Sequence, residues 1–155
     1  MAEPFGFGLS QTLPMPIVAR VMRANPSDSR MIDHVSLGVS DLSRSLAFYD
    51  AALAPLGVIR VWTSGDAAGY GYPGQDDAFA VKRATQSVLV PDSRSHVAFV
   101  AQDRNAVVAF HARALERGAR DEGAPGLCPE YGDGYFAAFA RDPDGHRLEA
   151  VRHER

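Results

Sequence analysis

One spacing constrains this chain more than anything in its composition. His34 and His96, Asp41 and Asp103, Phe48 and Phe110, and Leu53 and Leu115 each stand 62 residues apart, so a strand start, a helix cap and two helical core positions recur in register. Two copies of one strand-helix-strands unit are implied. In the first copy Ile32-Asp33-His34-Val35-Ser36-Leu37-Gly38-Val39 alternates, with Val35, Leu37 and Val39 on one face and His34, Ser36 and Gly38 on the other, which predicts a half-buried strand. Ser40 or Asp41 then caps a helix over 42 to about 54, where Leu42, Leu46, Tyr49 and Leu53 recur at helical spacing until Pro55 and Gly57 stop it. Three shorter strands are expected at 58–63, 69–72 and 78–83.

The second copy opens on His96-Val97-Ala98-Phe99-Val100, and Asp103 caps a helix through Val107, Phe110, His111, Ala114 and Leu115 that ends near Gly118. Residues 123–134 hold four glycines and two prolines, and are expected to be a loop. The copy closes on strands at 136–141 and 147–151, joined by Asp142-Pro143-Asp144-Gly145. Proline at the second turn position and glycine at the fourth suit a tight reversal. Alternation then places Leu148 and Ala150 on one face and Glu149 on the other with Arg147 and Val151.

Composition narrows the partners. A chain of 155 residues has room for one ordinary domain. Residues 1–30, broken by Gly6, Gly8, Pro14, Pro16 and Pro26, read as an N-terminal extension, and residues 31–155 as a domain of two modules, about 31–90 and 95–152. The net charge of −3 argues against nucleic acid or an anionic membrane as partner. No apolar run approaches the ~20 residues of a membrane span, and Glu3 stands where a signal peptide needs basic charge. Cys128 is the single cysteine, which suits a reducing cytoplasm and behaves as a small hydrophobe rather than a reactive thiol. A small-molecule substrate is the expected ligand.

Two histidines at one position of an internal duplication, with an acid on an inward strand face, point to chemistry. A lone histidine on a strand is most often a core residue with a satisfied hydrogen bond. The repetition of His34 as His96, with Glu149 beside them in the pattern, turns the reading toward a metal site with open coordination positions, closed within one cup or on paired subunits. Tyr131 and Tyr135 flank the entry to the closing hairpin, and Tyr70 and Tyr72 alternate on a middle strand. Any of these hydroxyls at a cup mouth could steady an oxyanion. Glu130 is a candidate loop base, His111 reads as structural, and His146 and His153 as solvent-facing.

These segments, Ile32 to Leu42 with Phe48-Tyr49, then His96-Val97-Ala98-Phe99, then Asp142-Pro143-Asp144-Gly145-His146-Arg147-Leu148-Glu149, resemble the vicinal oxygen chelate superfamily. That group holds glyoxalase I, fosfomycin-resistance enzymes, bleomycin-resistance proteins and extradiol dioxygenases. The resemblance implies an α+β fold of two paired βαβββ modules forming an open sheet cup, commonly dimeric. It also implies a divalent metal (Zn, Ni, Mn or Fe) on His34, His96 and Glu149, with lyase, isomerase, transferase or dioxygenase chemistry. Glyoxalase I usually offers a fourth ligand, a glutamate, from the strand equivalent to 78–83, and here that strand reads Ala78-Phe79-Ala80-Val81-Lys82-Arg83 with no acid. The three-ligand pattern looks closer to the fosfomycin-resistance and dioxygenase branches. The alternative is a metal-free binding protein of the bleomycin-resistance kind, with aromatic walls such as Trp62 and Phe139.

Overall fold

The duplication becomes two βαβββ units in the computed structural model, which describes residues 31–87 and 94–154. The N-terminal extension expected over 1–30 lies outside the described residues. The first unit runs β1 (Val35–Val39), α1 (Leu42–Leu53), β2 (Ile59–Thr63), β3 (Ala67–Gly71) and β4 (Phe79–Arg83). The second runs β5 (His96–Val100), α2 (Arg104–Glu116), β6 (Arg120–Leu127), β7 (Tyr135–Arg141) and β8 (Arg147–His153). Each forms its own four-stranded sheet, in the orders β1-β4-β3-β2 and β5-β8-β7-β6. The first strand of each unit pairs in parallel with its last, and the remaining neighbours are antiparallel. The α+β class and the paired modules expected from the sequence are therefore present. No helix among the described residues is long and apolar enough to cross a membrane.

Both helices start where their aspartates end the preceding strand. Asp41 accepts a hydrogen bond from the Arg44 amide at 3.1 Å and Asp103 from the Ala106 amide at 2.8 Å, satisfying donors that the first turn leaves without a helical partner. One helical face of each is buried, with Phe48 and Phe110 at equivalent places in the core. The repeat is imperfect: Leu53 is fully buried, whereas its counterpart Leu115 is exposed. Of the stretch expected to be a loop over 123–134, the first part, up to Leu127, belongs to strand β6, and the remainder is loop with a short turn at Pro129–Tyr131. Its glycines and Pro125 were misleading because β6 is an edge strand whose register slips on either side of Gly123, and bulged edges tolerate residues that central strands reject.

Leu37, Val39, Tyr70, Phe79 and Val81 of one sheet and Val97, Phe99, Ala138, Leu148 and Ala150 of the other join the two helices in a single core. Phe79 and Phe99 meet edge to face across it, 5.1 Å between ring centroids. The closing turn of the second unit then lands on the first turn of α1. Asp144 accepts from the Ser40 amide (3.1 Å), the Ser40 hydroxyl, Arg44 (3.0 Å) and Ser45 (3.3 Å). Asp142 takes the Tyr49 hydroxyl at 2.6 Å through Oδ2, while its Oδ1 accepts the amides of Asp144 and His146. His146 was expected to face solvent. It instead lies 2.7 Å from the Gly38 carbonyl through Nε2, and since a carbonyl only accepts, that nitrogen carries a proton.

This latch is fully made inside the molecule, so its loss has a readable cost. Burial, then Asp142, hold the Tyr49 phenol protonated far above its usual range, which leaves Asp142 as the acceptor. Tyr49→Phe should strand one oxygen of a buried carboxylate and lower the unfolding free energy by roughly 1 to 3 kcal/mol, read from urea titration. Burial pushes the Asp144 carboxyl up, but Ser40 and Arg44 outweigh it and hold its pKa below the usual value. A depressed folded-state pKa gives stability that is present above the unfolded value of ~3.9 and lost as pH falls through the lower one. Asp144→Asn should therefore flatten the decline of stability on acidification below pH ~4.

Candidate functional site

Registered pairs put side chains of neighbouring strands on one face in rows. On the face of the second sheet that turns away from the helices, one row reads His96, Arg147, Arg141 and Arg120 across β5, β8, β7 and β6. The next reads Ala98, Glu149, Phe139 and Gly123. His96 and Glu149 thus sit diagonally on adjacent strands, and their side chains meet, Nε2 to Oε2, at 2.9 Å. Glu149 is buried. Its other oxygen accepts the Tyr135 hydroxyl at 2.5 Å, and burial followed by that carboxylate keeps the phenol protonated well above its ordinary range.

The tautomer of His96 follows from its other nitrogen. Nδ1 lies 3.1 Å from the Arg94 carbonyl, which can only accept, so Nδ1 carries the hydrogen and neutral imidazole turns the Nε2 lone pair toward Glu149. Two acceptors then face one another across 2.9 Å, an arrangement that needs a proton or a cation between them. His34 is set the same way: its Nδ1 stands 2.7 Å from the Asp33 carboxylate, again an acceptor, leaving Nε2 as the lone-pair nitrogen. It lies one residue ahead of β1, exposed, on the first unit. Within one chain His34 is not brought to His96 and Glu149, and among the described residues no three His, Cys, Asp or Glu side chains group closely enough to hold a metal ion.

The other residues singled out from the sequence divide. Tyr135 is at the site, and Tyr131, exposed on the turn before β7, stacks obliquely on it with ring centroids 5.2 Å apart. Tyr70 is not at a cup mouth: it is buried on the helix side of β3 and gives its hydroxyl to Asp50 at 3.1 Å, because alternation fixes which residues share a face but not which face meets the helix. Tyr72 is exposed just beyond β3. Trp62 lies across Gly69, its indole N–H on Asp77 at 2.8 Å, and Phe139 lies across Gly123. Glu130 is exposed. Cys128 is half-buried, its thiol pushed up by burial and then by Glu130 and Glu149, the opposite of an activated nucleophile. His111 is buried against Asp121, as a structural histidine should be. His153 is exposed, edge-on to Tyr135. Strand β4 offers no acid, with Ala80 and Lys82 registered to Ser36 and Gly38.

One group was not legible. Glu122 is the extra residue where β6 slips against β7 between Asp121 and Gly123, and the bulge aims it into the arginine row. It accepts from Arg120 (2.5 Å), Arg141 (2.9 Å) and Arg147 (2.7 Å). Arg141, Arg120 and Arg147, in that order of weight, hold its carboxyl down to about 2. A cavity of about 560 Å³ opens beside it, lined by Arg94, His96, Glu122, Tyr131, Phe139 and Arg147 among others. The one signal in the sequence was Arg147, two residues before Glu149 on a single strand face.

The profile of the Glyoxalase/Bleomycin resistance protein/Dioxygenase superfamily matches residues 31–150, and the chain belongs to that superfamily. A solved glyoxalase/bleomycin resistance protein of Albidiferax ferrireducens is 30% identical, with 79% of this chain and 98% of that one covered at a TM-score of 0.69. A glyoxalase-related enzyme of Fulvimarina pelagi shares the fold at 19% identity, 79% and 87% coverage and a TM-score of 0.60. So does the fosfomycin resistance protein FosX of Listeria monocytogenes, solved with Mn(II) and 1S,2S-dihydroxypropylphosphonic acid, at 18% identity, 77% and 87% coverage and a TM-score of 0.58. No curated protein matches the chain.

Tyr135→Phe should remove a hydrogen bond to a buried charge and cost roughly 1.5 to 3 kcal/mol. Urea titration of the variant against wild type measures it.

Proposed function

We propose that this chain is a divalent-metal-dependent enzyme acting on a small oxygen-bearing molecule, its site formed by His96 and Glu149 of one copy and His34 of a second copy in a homodimer. The observation that carries this is the approach of His96 Nε2 to a buried carboxylate at 2.9 Å, with the other ring nitrogen on a backbone carbonyl. A neutral imidazole and an ionised carboxylate are donors suited to Zn, Ni, Mn or Fe, and a histidine whose other nitrogen is tied to a carbonyl is the usual orientation of a metal-binding imidazole. His34 carries the same tautomer beside Asp33. Both β1 and β5 are sheet edges, so the two histidines stand on strands that a second copy can approach, and edges of this kind are commonly covered by pairing.

When bound, such a metal supplies Lewis acidity toward adjacent substrate oxygens. The protein does the rest. Tyr135 fixes one oxygen of Glu149 and leaves the other to the His96 side. Tyr131 stands at the cavity mouth, where its hydroxyl can donate to an oxygen that gains charge. A metal-free binding protein would use Trp62 and Phe139 as stacking walls, and each ring packs against a glycine. It gives no task to the His96 and Glu149 pair.

Protein purified without added metal or chelator should carry divalent metal in proportion to chain. His34→Ala, His96→Ala and Glu149→Ala should each lose most of it while remaining folded and dimeric by light scattering. Full metal content in all three variants would contradict the assignment.

The absence of an acid on β4 sets a second expectation. General base catalysis is typically worth ~100 to 10,000-fold, so isomerisation of the hemithioacetal of methylglyoxal and glutathione should be slow with any of the four metals. Turnover at ~1 to 1,000 per second would show a base elsewhere, Glu130 first.

A further inference from the structure

The arginine row beside His96 is not needed to hold a metal, and its place in the cavity assigns it a different task. Arg147 is registered directly to His96 and shares its face, and both line the cavity with Arg94. Behind Arg147 stand Arg141 and Arg120, and Glu122 gathers all three guanidiniums with contacts of 2.5 to 2.9 Å. Two guanidiniums, Arg94 and Arg147, thus line the cavity, with Arg120 and Arg141 held to the same Glu122 behind them, in a chain whose net charge is −3. A local cationic wall on an acidic protein focuses anions into one cleft. Planar guanidiniums held by a fixed carboxylate also present their N–H groups in a set geometry, which suits the oxygens of a carboxylate, phosphonate or phosphate. Phe139, against Gly123 in the next row, gives the cavity an apolar patch beside the charge.

We infer that the cup takes an anionic substrate, whose carboxylate, phosphonate or phosphate group seats on Arg147 and Arg94 while its remaining oxygens face His96 and Glu149. The second half of that statement rests on the metal-dependent reading above. The first half does not, since the oxyanion contact is made by arginines alone.

The test separates the two. Full-length protein stripped with chelator and dialysed is titrated at low ionic strength with inorganic phosphate and, separately, with acetate, by calorimetry or by amide chemical shifts. Removing the metal leaves the arginines as the cationic contact. The wild type should bind at least one of the two anions, and which one binds tells a phosphate-like from a carboxylate head group. Arg147→Gln and Arg94→Gln should weaken binding by about tenfold or more, equivalent to ~1.4 kcal/mol. Lys82→Gln, on the other sheet, should leave it unchanged. Arg94 is exposed, so its variant decides the matter if Arg147→Gln misfolds on losing Glu122. Metal content of Arg94→Gln, measured in parallel, should equal wild type. No binding of either anion by the wild type, or equal binding by wild type and Arg94→Gln, overturns the anion site whatever the metal result. Anion binding lost in the arginine variants of a chain that carries no metal leaves the anion site standing and removes only the metal.

Discussion

The molecule is built around a carboxylate that has no business in a sheet unless something compensates it. Glu149 lies in β8, buried, with hydrophobic Leu148 and Ala150 on either side pointing into the core. A charge removed from water costs several kcal/mol unless it is paired and hydrogen-bonded. Here Tyr135 donates to one oxygen and His96 presents a nitrogen to the other. The first contact is complete in itself. The second is complete only with a proton or a cation between the two atoms, and the proposed function rests on the cation.

The duplication explains how that element is positioned. Each unit begins with a histidine at a sheet edge, and each edge strand is locked in parallel to the last strand of its own unit. The turn at Asp142 to Gly145 then fixes the second unit against the first by clasping the start of α1 through Asp144 and Tyr49 through Asp142. His34 stands ahead of one edge strand and His96 on the other, and within the chain they do not come together with Glu149 as a metal-holding group.

Much of this could be read from the residues. The spacing between equivalent histidines, aspartates and phenylalanines led to two units, both helix caps and the closing hairpin, because each rests on local chemistry that a single strand or turn determines. What escaped depended on contacts between strands. The bulge in β6 hid a strand inside a glycine-rich run and concealed Glu122, whose direction is set by a register slip and not by its neighbours in sequence. Tyr70 and Tyr72, two residues apart, read as sharing one face, yet that this face meets the helix at Tyr70 is decided by how the sheet packs, and Tyr72 lies beyond the end of β3 and is exposed. His146 was assigned to solvent because the Gly38 carbonyl that receives it is more than a hundred residues away. That His34 does not group with His96 and Glu149 belongs to the same class, since it depends on how the two modules pack.

The most direct test of a site shared between copies is complementation in mixed dimers. His34→Ala and Glu149→Ala chains, carrying different tags, are co-expressed, and the doubly tagged hybrid is isolated and its metal counted. If His34 serves the partner's His96 and Glu149, the hybrid contains one intact site and one doubly broken site, and should recover one metal per dimer while either parental variant has almost none. A hybrid as empty as its parents, from a wild-type chain that binds metal in full, would mean that each chain assembles its own site and would contradict the account.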